Sequence, residues 1–263
     1  MPAALLSSAP TFALPGVWRA DAWAPGHGPV IASGHAELDA ELPGGGWPTG
    51  ELIDLLQNPA GRHEWRLLLP ALRTAQRHGP LVLVGAPHPP HLAALAAQGL
   101  AAERVLWVDA AVASERLWAA EQVLRSGTAG ALLVWLPEAR PESLRRLHLA
   151  ARATTKGTAT GTATAAQAGP LLLALRPEGV RQQASPAPLR LWLGSAQGRL
   201  QVLVFKRPGP PMEQPLALAA PLPVMACLRH WPPRPAAPVV VPAPAHVVDR
   251  PVARTPHPQH AVA

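Results

Sequence analysis

The sequence predicts an α/β fold in which a mostly parallel sheet is flanked by helices and ends in an antiparallel hairpin. Short apolar runs recur at strand length and are nearly continuous, as in strands buried on both faces of a parallel sheet. Segments with helical spacing separate these runs, which indicates right-handed crossover units. The five predicted parallel strands are residues 52–56, 81–84, 105–108, 131–135 and 171–175.

Three helices are predicted between the strands, at residues 62–78, 114–125 and 141–153. Ser114 suits a helix N-cap, and Gly127 suits the position after a helix end. Pro141 suits the first turn of the third helix, where its missing N–H has no intrahelical partner. The predicted apolar faces consist of Trp65, Leu68, Leu69 and Leu72, of Leu117, Ala120 and Leu124, and of Leu144, Leu147 and Ala151.

Two further apolar runs, residues 189–193 and 200–205, follow without a helix between them. The second alternates apolar and other side chains, and residues 194–199 are short enough to form a turn. We therefore predict an antiparallel hairpin that completes the sheet.

Composition divides the chain into an N-terminal extension (residues 1–30), a core (31–205) and a tail (206–263). Residues 154–169 are of low complexity and predict a surface loop. The tail holds 15 of the 34 prolines, so it is expected to be disordered and partly of polyproline type. It also has 6 basic and 2 acidic residues, out of a net charge of +7 for the whole chain. Such a tail can favour nucleic acid or an acidic protein surface, or it can simply stay solvated.

The features that bear on cellular location are ones that the sequence lacks. Cys227 is the only cysteine, so no disulfide can form within the chain. The first residues lack the pattern of a secretory leader, and no run approaches the ~20 apolar residues of a membrane helix. These features predict a cytoplasmic protein.

The segment 57–64, Q-N-P-A-G-R-H-E, lies where such folds carry a phosphate-binding loop. A working loop needs glycines that let backbone N–H groups close on the phosphates, a lysine, and a hydroxyl for Mg²⁺. The residues at these positions are Gln57 and Arg62 for the glycines, His63 for the lysine and Glu64 for the hydroxyl; only Gly61 remains of the glycine-rich character. We predict that no nucleotide cofactor binds.

The aspartate that orients Mg²⁺ in such folds is also missing. The strand at residues 131–135 should end in an aspartate that orients Mg²⁺, but Trp135 stands there. Together with the altered loop, this predicts that the protein has no catalytic residues and is not an ATPase. An ATPase with an atypical loop is the alternative.

Histidines at positions 63, 78, 88 and 91 raise the question of a metal site. No cysteines or clustered carboxylates complete a ligand set, so we predict solvated histidines and no metal.

Tryptophans could serve as stacking platforms for single-stranded DNA. Trp65, Trp107, Trp118 and Trp192 fall on predicted buried faces, which favours a role in the core. Trp135 is expected to fill the space that the missing aspartate leaves.

The third predicted helix has a basic side that includes Arg145 and Arg146. Contact with DNA phosphates is one interpretation, and a solvated helix face is the other.

Two segments resemble the entry to the RecA ATPase core: residues 33–39, S-G-H-A-E-L-D, and residues 44–52, G-G-G-W-P-T-G-E-L. The form L-P-G-G-G-W-P is similar to the ImuA family, RecA-like accessory proteins of bacterial mutagenesis cassettes. The resemblance covers about residues 17–210 and excludes the tail. Further matching segments are residues 106–108, 117–127, 134–137, 144–147, 189–191 and 206–207.

The resemblance implies a RecA-like fold and a role in SOS-induced translesion DNA synthesis. The implied partners are an inactive Y-family polymerase homologue of the ImuB type, an error-prone DNA polymerase III alpha-type subunit, and RecA itself as a further candidate. It also implies association with the nucleoid when DNA is damaged. An inhibitor that binds RecA or a cell-division protein is an alternative.

In RecA-type proteins a DNA-contacting loop follows the strand that corresponds to residues 171–175. The matching region here contains Arg176 and Arg181. Lys206 and Arg207, at the start of the tail, are the candidates for partner contact, because a charged flexible segment can fold on binding.

Overall fold

A mixed sheet of eight strands forms the centre of the computed structural model, which describes residues 28–157 and 169–219. The strands are β1 (Val30–Ile31), β2 (Trp47–Pro48), β3 (Leu52–Gln57), β4 (Leu81–Val84), β5 (Val105–Val108), β6 (Ala131–Trp135), β7 (Leu171–Pro177), β8 (Leu189–Ala196), β9 (Arg199–Lys206) and β10 (Leu216–Leu218). The helices are α1 (Ala36–Asp39), α2 (Glu64–Ala75), α3 (Leu92–Ala97), α4 (Ala113–Ser126) and α5 (Pro141–Gly157).

The strand order in the large sheet is β10-β9-β8-β3-β7-β6-β4-β5. Neighbours from β8 to β5 are parallel, and β8, β9 and β10 pair antiparallel. The predicted α/β class, the mostly parallel sheet and the closing hairpin are confirmed. Strands β1 and β2 form a separate antiparallel pair.

Each face of the sheet carries its own hydrophobic core. Alternate residues of β3 show the division, since Ile53 and Leu55 pack with α1, α2 and α3, while Leu52 packs with α4 and α5. Both faces of the central strands are therefore buried, which explains their nearly continuous apolar sequences.

The helices start and end close to the predicted positions, with one correction. Helix α4 begins at Ala113, so Val112 and not Ser114 is its N-cap. Glu115 accepts a hydrogen bond from the Val112 backbone N–H at 3.5 Å. Gly127 ends the helix in the left-handed conformation, with φ of 65°, as predicted.

The sheet continues beyond the boundary predicted at residue 205. Strand β9 ends at Lys206, and β10 pairs with it through Leu216 opposite Val202. Arg207 is held by hydrogen bonds to the backbone carbonyl and the carboxylate of Glu41. Residues 206–219 therefore belong to the folded unit. The rest of the predicted tail, residues 1–27 of the extension and most of the low-complexity loop lie outside the described residues.

Candidate functional site

The loop that joins β3 to α2 lies at the carboxyl end of the parallel strands, where open α/β sheets bind ligands. This loop is the segment in which the sequence suggested a degenerate phosphate site. Gly61 has φ of 83°, and a Cβ there would come within 3.3 Å of His88 and Pro87, so both conformation and space favour glycine.

A carboxylate from the chain itself occupies the centre of this loop. Glu64, the first residue of α2, is fully buried. Its Oε1 accepts from the backbone N–H of Gly61 at 2.8 Å, and its Oε2 accepts from the backbone N–H of His63 at 3.0 Å. Backbone N–H groups at a helix N-terminus are the groups that hold a phosphate in nucleotide-binding loops. Glu64 therefore supplies an internal anion to its own helix.

Gln57 completes the polar network at the end of β3. Its amide nitrogen donates to Glu64 Oε2 at 2.7 Å, and its amide oxygen accepts from the His63 N–H at 3.2 Å. Both side chains are buried, so these bonds form away from water, where they are most effective. The loop is thus closed by side chains at two of the four positions that the sequence showed to be altered.

His63 stands where a phosphate loop has its lysine, and it provides no positive charge. Burial lowers the pKa of His63 below its ordinary value of 6.5, and Arg62 and Arg66 lower it further, against an opposing effect of Glu64. The imidazole is therefore neutral at pH 7. Its Nδ1 has no hydrogen-bond partner among the described residues. Arg62 is exposed.

Trp135 connects the two altered positions. It ends β6, is buried, and donates its indole N–H to Glu64 Oε1 at 3.3 Å. The buried indole thus satisfies one oxygen of the carboxylate that closes the loop. No local sequence pattern indicates this pairing, since the two residues are 71 positions apart.

A cavity of about 270 Å³ adjoins the loop. Trp65, Leu83, Leu95 and Trp135 line it together with the prolines of residues 87–90. The polar groups in the lining come from Arg62, Glu64, His88, His91 and Gln98. The walls are mostly apolar, which suits an uncharged group, and Arg62 adds a positive charge to the lining.

A second buried charge cluster lies on the α4 and α5 side of the sheet. Asp54 of β3 is fully buried and pairs through Oδ2 with Arg190 Nε at 2.9 Å and with an Arg176 guanidinium nitrogen at 3.3 Å. Arg176 also donates to the Gln183 side chain at 3.1 Å. Arg190 donates to the carbonyls of Val180, Arg181 and Gln183.

The candidate DNA-contacting role of Arg176 is therefore wrong. Only 2% of Arg176 is exposed, because the residue folds inward to pair with Asp54. Arg181 is half-buried, and its guanidinium lies 5.0 Å from the centre of the Phe205 ring, as does that of Arg190. The segment after β7 is thus tied to the sheet by arginines. A lone Asp in the apolar run of β3 was the sequence signal for this cluster.

Of the other predicted contact residues, Arg145, Arg146 and Lys206 are exposed and Arg207 is half-buried. Arg145 is exposed, and Arg146 pairs with Glu121 of α4 at 2.7 Å. Lys206 is exposed and donates to the Ser185 carbonyl at 2.8 Å. Arg207 is fixed to Glu41 and is not part of a flexible tail, which corrects that prediction.

The prediction that the tryptophans are buried is wrong for two of them. Trp107 is 42% exposed and Trp118 is 65% exposed, whereas Trp65 and Trp192 are half-buried. Trp107 is exposed because β5 is the last strand of the sheet, a position that local sequence does not reveal.

Comparison of the chain with protein-family models and with curated proteins gives no match. Within residues 28–157 and 169–219, no helix is long and apolar enough to cross a membrane. The same part of the chain has no group of three His, Cys, Asp or Glu side chains placed to hold a metal ion. Fold and site define an α/β protein in which a buried carboxylate, Glu64, closes the loop between β3 and α2.

Proposed function

We propose that this chain is a non-catalytic accessory protein with a RecA-like core that acts in SOS-induced translesion DNA synthesis. It would work by contacts with mutagenic polymerase components, namely an inactive Y-family polymerase homologue and an error-prone polymerase III alpha-type subunit. The similarity of residues 42–48, L-P-G-G-G-W-P, to the ImuA family supports this role. The order of strand β3, loop and helix α2 is consistent with a RecA-like core.

The buried Glu64 carboxylate is the observation that carries the non-catalytic part of the proposal. A nucleotide phosphate would have to displace this carboxylate from the Gly61 and His63 N–H groups. It would also meet a neutral imidazole in place of a lysine. Phosphate binding in such loops depends on both the backbone donors and the positive charge. A loop whose donors are occupied and whose lysine position holds a neutral imidazole is not suited to holding the phosphates of ATP.

Labelled ATP with Mg²⁺ tests this directly by saturation binding. We expect no saturable binding by the intact protein, because the donors of the loop are already occupied. A working ATPase of the same fold class, assayed in parallel, is the control for the assay. Binding with micromolar affinity would contradict the proposal and favour an ATPase with an atypical loop.

A cellular experiment tests the proposed pathway. In a strain that lacks this gene, the frequency of damage-induced mutants should fall sharply while that of spontaneous mutants stays unchanged. A plasmid copy of the full chain should restore the frequency of damage-induced mutants. A copy that ends at Ala219 should restore it as well if residues 28–219 make the partner contacts. An unchanged induced frequency would remove the support for translesion synthesis.

Co-purification from damaged cells identifies the partners. Recovery of the two polymerase components with the tagged full chain is the expected result. Recovery of RecA or of a cell-division protein without the polymerases would favour an inhibitor instead.

A further inference from the structure

Two adjacent large hydrophobic side chains are exposed on β5, at one end of the eight-stranded sheet. They are Leu106 and Trp107, and Val112, between β5 and α4, is exposed as well. Single exposed apolar residues are ordinary on protein surfaces, but a group around one strand marks an interaction surface. Leu106 and Trp107 are called the β5 patch below.

The β5 patch extends over both faces of the sheet. Leu106 is in register with Val82, whose side chain packs with α4 and α5. Trp107 is in register with Leu83, whose side chain packs with α2 and α3. Neighbouring strands point paired residues to the same side, so Leu106 and Trp107 face opposite layers. A strand that pairs with β5 would therefore contact apolar side chains of β5 on both faces of the sheet.

The outer edge of β5 has no strand beside it within the described part of the chain. An edge strand presents unpaired N–H and C=O groups, and proteins normally protect such edges with charged residues, proline or bulges. The sequence of β5, V-L-W-V, contains no such residue. The exposed edge and the apolar side chains together fit the addition of another strand.

We propose that β5 pairs antiparallel with β5 of a second copy of this chain, around a two-fold axis perpendicular to the sheet. Such an axis keeps each face of the sheet on the same side, so residues that oppose each other must point the same way. This condition allows Trp107 to lie opposite Trp107 of the second copy, with Leu106 opposite Val108. The central pairs in this register are apolar, while Val105 lies opposite Asp109. Aromatic and β-branched pairs across strands are stabilising.

The charges that flank β5 favour the same arrangement. Arg104 precedes the strand and Asp109 follows it, and both are exposed. In this register Arg104 of one copy lies opposite Ala110 of the other, next to Asp109, at both ends of the interface. A two-fold interface is self-complementary, and this strand meets that requirement with its own sequence.

Sedimentation of the full chain over a concentration series tests the proposal. The intact protein should form a dimer. Trp107→Lys should raise the dissociation constant by about tenfold or more, because it removes a central aromatic contact and places two ammonium groups opposite each other. Leu149→Lys is the control, since Leu149 is also an exposed apolar residue, at 58% against 42% for Trp107, but lies on α5. It should leave the dimer unchanged. A wild-type chain that stays monomeric throughout, or an equal loss in the control, would overturn the proposal.

Mixing two charge variants tests the register. Trp107→Lys and Trp107→Glu should each be largely monomeric alone, and an equimolar mixture should form a heterodimer, because opposite charges then face each other across the axis. Thermal melting of each variant checks that the fold is intact. A mixture that stays monomeric while the wild type dimerises would overturn the pairing of residue 107 with itself.

Discussion

Asp54→Ala is expected to lower the free energy of unfolding by about 3–5 kcal/mol, the typical effect of removing one partner from a buried ion pair. The substitution leaves the Arg176 and Arg190 guanidinium groups buried without their carboxylate. Since small domains are stable by only about 5–15 kcal/mol, this is a large share of the total. Urea unfolding followed by tryptophan fluorescence measures the change.

Glu121→Ala is the matched control for Asp54→Ala. Glu121 also pairs with two arginines, Arg125 and Arg146, but their side chains are 62% and 68% exposed. Water solvates them when the carboxylate is removed, so a loss of no more than about 1 kcal/mol is expected. Hydrogen exchange in residues 178–188 should increase only in Asp54→Ala. Arg190 holds that segment by donating hydrogen bonds to the backbone carbonyls of Val180, Arg181 and Gln183. Equal losses in the two variants would show that burial of the cluster has no special effect.

Glu64→Ala is expected to be the second large effect, with a loss of roughly 2–4 kcal/mol in the free energy of unfolding. Each buried donor left without an acceptor costs about 1–3 kcal/mol, and water entering from the adjacent cavity offsets part of this. The donors affected most are the Gly61 N–H, the Gln57 amide and the Trp135 indole N–H. Thermal and urea unfolding at pH 7 give the measurement.

Sulfate provides an internal check on the role of Glu64. The opened loop of Glu64→Ala again presents backbone N–H groups at a helix N-terminus, which bind anions. Sulfate at matched ionic strength should therefore stabilise Glu64→Ala more than the wild type, when each is compared with chloride. Glu64→Gln is the control, since its amide still occupies the loop and should block this extra stabilisation. An equal response of all three proteins to sulfate would argue against an anion-binding loop.

The sequence alone determined the fold class, because strands buried on both faces need continuous apolar residues and the helices between them need apolar residues at helical spacing. Residues 52–56 and 131–135 were assigned correctly as strands for this reason. Gly127 marked the end of α4, since its left-handed conformation favours glycine. The altered residues at 57–64 were also visible, because a phosphate loop is a local motif.

Only the tertiary structure decided which distant groups meet. Glu64 and Trp135 are 71 residues apart, and Asp54 and Arg190 are 136 apart, so no local pattern joins them. The assignment of Arg176 to a DNA-contacting loop failed because burial depends on a partner from another strand. Trp107 was expected in the core, but the strand order places β5 at the end of the sheet. Local sequence specifies that a segment is a strand, whereas its neighbours are set by packing of the whole chain.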